Sequence, residues 1–104
     1  MGPVFKALSD PTRRRVLQLL RRGPMSAGEL ADQFQVSKPT MSAHFAVLRE
    51  AGLIEAEKRG KSVVYTLQLS VLEEALLSFT QGFGWELRPR APRSRRAAVE
   101  GLNP

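Results

Sequence analysis

The sequence predicts a mainly α fold with a small β-hairpin, an α+β chain in the order α-α-α-α-β-β-α. Three observations carry that prediction. Residues 26–53 read as two capped amphipathic helices joined by a tight turn. Residues 53–67 read as two short runs around a glycine, the second alternating in character. From Ser70 onward helical spacing returns, with more apolar side chains than one small domain can cover.

The first helix is short and has one apolar side, formed by Val4, Phe5, Ala7 and Leu8. A helix of that length is not stable alone, so it must dock. Asp10 followed by Pro11 starts the second helix: a carboxylate N-cap, then proline where the missing N–H costs nothing. Val16, Leu17 and Leu20 form its inner stripe. Arg13, Arg14, Arg15, Arg21 and Arg22 read as a solvated, partly phosphate-facing surface, and Gly23-Pro24 ends the helix.

Ser26 and Glu29 have the spacing of a capping box. Ala27, Leu30, Ala31 and Phe34 then recur along one helical stripe. Ser37 offers the next N-cap, with Pro39 in the first turn. Met41, Phe45 and Leu48 make the buried stripe of this helix, and Gly52 is placed to end it. The opposite face, Lys38, Thr40, Ser42, Ala43 and His44, is short and polar with one long cation. An ordinary solvated face carries long Glu and Lys side chains instead. A short face near a helix N-terminus can approach a base-pair edge, and its free N–H groups can meet a phosphate. Taken alone it fits an ordinary surface helix equally well. The capped helix before it and the hairpin after it favour nucleic acid.

Leu53 to Glu57 reads as a strand, Lys58-Arg59-Gly60-Lys61 as a turn, and Ser62 to Leu67 as a second strand with Val63, Tyr65 and Leu67 on one face. A two-stranded hairpin is marginal by itself, so it must lean on the helices. Lys58, Arg59 and Lys61 could simply keep an edge hairpin soluble. Directly after a recognition-type helix, they are better explained as a wing on the DNA backbone or minor groove. The architecture is then a winged helix-turn-helix.

In the last helix Leu72, Leu76, Phe79 and Phe83 fall at i, i+4, i+7 and i+11, with Val71, Ala75 and Leu77 on adjoining sides. The stripe is too wide for one domain, and the first helix shows the same excess. The expectation is a homodimer through the first and last helices, with Val4, Phe5, Leu8, Leu72, Leu76, Phe79 and Phe83 at the interface. Residues 1–87 form the DNA-binding and dimerisation domain. Residues 88–104 hold five arginines, three prolines and one glutamate, and read as a flexible basic tail.

The totals narrow the function classes. A chain of 104 residues with 42% hydrophobic content supports one domain with a modest core. There is no cysteine, hence no disulfide, thiolate metal site or thiol switch. No apolar run is long enough to span a bilayer and no signal-peptide layout opens the chain, so no membrane insertion and a cytoplasmic location are expected. The formal charge is +6, of which the tail carries +4, leaving a mildly basic fold. A nonspecific nucleoid-type binder, the alternative reading, needs cations spread across the fold. An enzyme would need a nucleophile, a base and an oxyanion donor converging in one site. Ser42 and His44, two apart on a helix, do not face each other.

The strings FKALSDPTRRRVLQLL at 5–20, MSAGELADQFQVSKPTMSAHFAVLREAGLI at 25–54 and RGKSVVYTL at 59–67 resemble the ArsR-type winged helix-turn-helix repressors, most of all their SdpR-like autorepressor subgroup. The resemblance covers about two thirds of the chain. It implies a homodimeric repressor with two recognition helices in successive major grooves of double-stranded operator DNA and two wings outside. It places DNA contacts at Ser37, Lys38, Thr40, Ser42 and His44, and wing contacts at Lys58, Arg59 and Lys61. Many relatives sense metals through paired cysteines ahead of an Asp-Leu. Here Glu29-Leu30 takes that place, and Ser26 and Gly28 stand where the cysteines would be. Others hold zinc between their last helices with Asp and His, whereas this last helix has no His. No metal or other cofactor is therefore expected. Release from DNA is expected through a sequestering partner protein or a small-molecule inducer.

Overall fold

The computed structural model describes residues 2–84. The basic tail expected over 88–104, and the last three residues of the expected 1–87 domain, lie outside the described residues. Among the described residues five helices and three strands run in the order α1 (Gly2–Leu8), α2 (Pro11–Leu20), β1 (Met25–Ser26), α3 (Ala27–Ala31), α4 (Lys38–Glu50), β2 (Ile54–Arg59), β3 (Ser62–Leu67) and α5 (Leu69–Gln81).

The helix starts lie where the local chemistry puts them. Asp10 Oδ2 accepts a hydrogen bond from the backbone N–H of Arg13 at 3.1 Å, with Pro11 opening α2. At α3 the Glu29 N–H donates to Ser26 Oγ at 3.0 Å, and the Ser26 N–H donates to Glu29 Oε1 at 2.9 Å. Each bond satisfies an amide that the first helical turn leaves without a partner. Ser37 Oγ accepts from the Thr40 N–H at 3.3 Å and starts α4. Gly52 follows α4 with φ +76°, the left-handed turn that only glycine adopts without strain.

The core gathers one stripe from each element. Val16 of α2, Leu30 of α3, Met41 and Leu48 of α4 and Leu53 before β2 are fully buried, and Val4, Ala7, Phe45, Ile54, Tyr65 and Ala75 close around them. Three elements differ from the sequence reading. The β2–β3 hairpin is present but gains a third strand: β1 pairs antiparallel with β3, Met25 opposite Tyr65 and Ser26 opposite Val64, giving the sheet order β1-β3-β2. Two residues carry no readable strand signal, and their pairing partner lies about forty positions away. Next, α3 stops at Ala31, so Phe34 lies beyond the helix, although it still packs on the core. Finally, α5 begins at Leu69 rather than Ser70, with no side-chain cap, and ends at Gln81. The Gln68 N–H donates to the Leu53 carbonyl at 2.8 Å, so a tertiary bond fixes the entry to that helix. Phe83 falls in the turn that follows.

Two arginines of α2, Arg13 half-buried and Arg14 exposed, also bond to the end of α1. Arg13 Nε donates to the Ala7 carbonyl at 2.8 Å and Arg13 Nη2 to the Lys6 carbonyl at 3.0 Å. Arg14 Nη1 donates to the Leu8 carbonyl at 2.7 Å. These side chains satisfy the exposed carbonyls that end α1, where positive charge also suits the helix dipole. A seven-residue helix is thus held by its end as well as by its apolar side.

Burial by itself pushes the Asp10 carboxyl upward. The Arg13 backbone N–H, helped by the Arg13 guanidinium, outweighs it and holds the group below its ordinary value. A lowered folded value contributes stability above the unfolded carboxylate range and loses it as pH falls through the folded value. Asp10→Ala is therefore expected to lose about 1 kcal/mol at pH 7, and the difference from the parent protein should begin to shrink below about pH 4 and close only once the pH passes below the folded value. Urea unfolding at the two pH values measures this; a penalty that persists at low pH would show that the cap does not depend on the carboxylate charge.

Candidate nucleic-acid interface

Helix α4 is fixed from below and open above. Met41, Phe45 and Leu48 point into the core. The Phe45 and Tyr65 rings lie 4.8 Å apart, so α4 packs directly on strand β3 of the hairpin. Ser37, Lys38, Thr40, Ser42 and Ala43 are exposed on the other side. Burial of the apolar stripe thus sets which residues can meet a ligand.

The hydroxyls at the start of α4 are ordered. Ser37 Oγ accepts from the Thr40 N–H and donates to Thr40 Oγ1 at 2.9 Å. Its one proton is committed. The Thr40 hydroxyl, with one of its two lone pairs occupied, keeps its own proton as a donor. Ser42 and Ala43 continue the low surface, and Lys38 supplies charge at its edge.

His44 departs from the expected contact set. Its side chain is only 15% exposed and turns onto α2, with Nδ1 3.1 Å from Arg13 Nη1 and Nε2 3.9 Å from Asp10 Oδ2. Position 44 lies three residues after Met41 and one before Phe45, at the flank of the buried stripe. That flank spacing was the available signal. The residues that draw the ring inward lie thirty positions earlier.

At the far end of the hairpin Gly60 takes φ +61° in a two-residue connection between the paired Arg59 and Ser62. Lys58, Arg59 and Lys61 are all exposed. Arg59 Nη2 donates to Glu57 Oε1 at 2.9 Å, in a pair whose side chains are 60% and 65% exposed. Such a pair contributes little, and a phosphate can displace it. The structure brings α4 and the hairpin side by side through Phe45 and Tyr65, with the three cations at the hairpin's end.

The residues expected at a dimer interface divide into two groups. Val4 is 7% exposed and belongs to the core of its own chain, and Leu8 and Leu72 pack against that core. Leu76, Phe79 and Phe83 remain exposed, together with Leu69 and Leu77. The Phe5 and Phe79 ring centroids are 5.3 Å apart, and those of Phe79 and Phe83 5.1 Å apart. The rings make one apolar patch across α1 and α5. Among the described residues no group of three His, Cys, Asp or Glu side chains is gathered as a metal site would require.

A helix-turn-helix domain model matches residues 8–57 of the chain. The chain is 43% identical over 76 residues to the transcriptional repressor SdpR of Bacillus subtilis (strain 168), a match that covers 73% of this chain and 84% of that repressor. It is 36% identical over 73 residues to an arsenical resistance operon repressor of Staphylococcus xylosus, covering 70% of each. Among solved structures, an ArsR-like transcriptional regulator from Rhodococcus sp. RHA1 matches with a TM-score of 0.71 at 30% identity, over 97% of this chain and 90% of that one.

Proposed function

Because the chain belongs to the ArsR family of helix-turn-helix transcriptional repressors, we propose that it acts as a homodimer whose paired α4 helices read a two-fold operator while the β2–β3 wings grip the backbone. The chain is a DNA-binding transcriptional repressor and not an enzyme. The finer reading rests on one observation: the exposed face of α4 from Ser37 to Ala43 is short, donor-bearing and rigidly backed by the core. Side chains of that length reach a base edge only when the helix itself enters the major groove.

In this reading Thr40 and Ser42 meet base edges, Ser37 and Lys38 meet phosphate at the helix start, and Lys58, Arg59 and Lys61 meet the flanking backbone. The two half-sites lie about one helical turn apart, roughly 34 Å. The apolar patch of exposed Leu76, Phe79 and Phe83 with half-buried Phe5 supports the dimer. Occupation of the operator excludes polymerase, so transcription falls. The site of action is the cytoplasm, and no helix among the described residues is long and apolar enough to cross a membrane. The nonspecific alternative is disfavoured because only +2 of the formal charge falls on residues 1–87.

Selection of the purified full-length protein on a random duplex library tests the reading directly. The expected result is enrichment of pseudo-palindromic sites. Two substitutions then separate the kinds of contact. Ser42→Ala should reduce the preference for operator over random DNA by about 1–3 kcal/mol. Arg59→Ala should weaken both DNAs alike and flatten the salt dependence by about one unit of slope. An Arg59→Ala protein impaired on operator alone would remove the wing assignment.

Release comes from a sequestering protein or a small-molecule inducer rather than a metal, in keeping with the absence of cysteine and the single histidine of the chain. Zinc or arsenite added to the protein–operator complex should leave it intact. Dissociation at micromolar metal would overturn this part of the proposal.

A further inference from the structure

We propose that Arg13 and His44 form a positioning clasp that sets the recognition helix α4 against the end of α1, so that faithful reading of DNA depends on a contact far from the bases. The inference rests on the assignment of α4 as the DNA-reading helix and adds residues that do not touch DNA.

One guanidinium spans three helices. Arg13 leaves α2, donates through Nε and Nη2 to the carbonyls of Ala7 and Lys6 at the end of α1, and reaches His44 Nδ1 of α4 through Nη1 at 3.1 Å. The fork is planar and rigid, so two bonds to α1 fix where the third nitrogen points. Asp10 completes the cluster: its Oδ2 holds the Arg13 backbone and lies 3.9 Å from His44 Nε2.

Chemistry fixes the state of the ring. A guanidinium has donors only, so His44 Nδ1 must present its lone pair. The ring proton then sits on Nε2, toward Asp10. A ring protonated on Nδ1, or on both nitrogens, cannot accept this bond. The contact therefore selects one tautomer of a neutral imidazole.

A directional contact here supplies something the core does not. Met41, Phe45 and Leu48 hold α4 by burial, which sets its depth and coarse rotation, and a hydrogen bond adds a fixed distance and angle to that. His44 lies two residues after Ser42 and four after Thr40 on the same helix. Locking its ring locks the rotation and slide of the face that carries them. The partner end is α1, whose Phe5 contributes to the apolar patch proposed as the dimer interface. The same guanidinium thus links the placement of that interface to the placement of the reading face.

The test has a DNA-free arm and a DNA arm. In nitrogen NMR of the free full-length protein near pH 7.5, His44 should show a bare Nδ1 and a protonated Nε2, and Arg13→Ala should erase that preference. A ring protonated on Nδ1 in the parent protein would overturn the clasp whether or not the protein reads DNA. In the second arm, His44→Leu should lower the operator-to-random affinity ratio about tenfold, the loss expected for one hydrogen bond to a charged group. His44→Leu leaves the Arg13 bonds to α1 in place, and its fold and oligomeric state should match the parent by circular dichroism and sedimentation. His44→Asn, whose amide oxygen stands near the Nδ1 position, should restore most of the ratio. Full discrimination in His44→Leu, or His44→Asn as impaired as His44→Leu, would refute the positioning role. Absence of any sequence preference in the parent would instead count against the DNA-reading assignment, and the NMR arm would still decide the clasp.

Discussion

Phe79→Glu is expected to sediment as a monomer and to lose measurable preference for the operator. Phe79 is 42% exposed and stands between Phe5 and Phe83 in the patch shared by α1 and α5. A carboxylate there would have to enter an apolar interface without a partner, at a cost of several kcal/mol per ion. The folded monomer is expected to tolerate the change, because the side chain lies outside the buried core and is partly open to solvent in the isolated chain. The effect on DNA is the larger one. In the proposed dimer, two tethered reading helices would bind the second half-site at an effective concentration that raises avidity by about 10²–10⁴, and monomers would forfeit that gain. Sedimentation velocity together with operator titration measures both outcomes. A dimeric Phe79→Glu protein with parental affinity would remove α5 from the interface.

Leu48→Ala should cost about 2–5 kcal/mol of folding stability. Leu48 is completely buried and lies among the fully enclosed side chains under α4. Its removal leaves a cavity in the close-packed core. Domains of this size are stable by only about 5–15 kcal/mol, so the variant should unfold at a clearly lower urea midpoint with an unchanged slope. A shift worth less than about 1 kcal/mol would mean that α4 relaxes into the space and is less firmly held than its burial indicates.

Legibility in the sequence followed the range of the interactions. Asp10-Pro11, the Ser26–Glu29 box, Ser37 with Pro39, Gly52 and Gly60 act over three or four residues, and each structural boundary they announced is present. The buried stripe Met41-Phe45-Leu48 was equally legible, because helical period alone assigns it. What was not legible depends on partners distant in the chain. Strand β1 exists because Tyr65 and Val64 lie opposite Met25 and Ser26. Leu69 starts α5 because Gln68 is bonded to the Leu53 carbonyl. His44 looked like part of the polar face until Arg13 and Asp10 gave it an inward partner. The same holds for Arg13 and Arg14, whose place around the apolar stripe of α2 suggested a solvated surface, while their geometry engages them at the end of α1.

The sheet has one further consequence. Its outer strand β2 leaves a row of backbone amides and carbonyls open along one border, bounded by the exposed Glu55, Glu57, Lys58 and Arg59. Ionised side chains on a border strand make recruitment of another molecule's strand costly. The opposite border, β1, is two residues long and offers almost no template. Lateral polymerisation of this protein is thereby discouraged at both rims, and even concentrated solutions should stay free of fibrils.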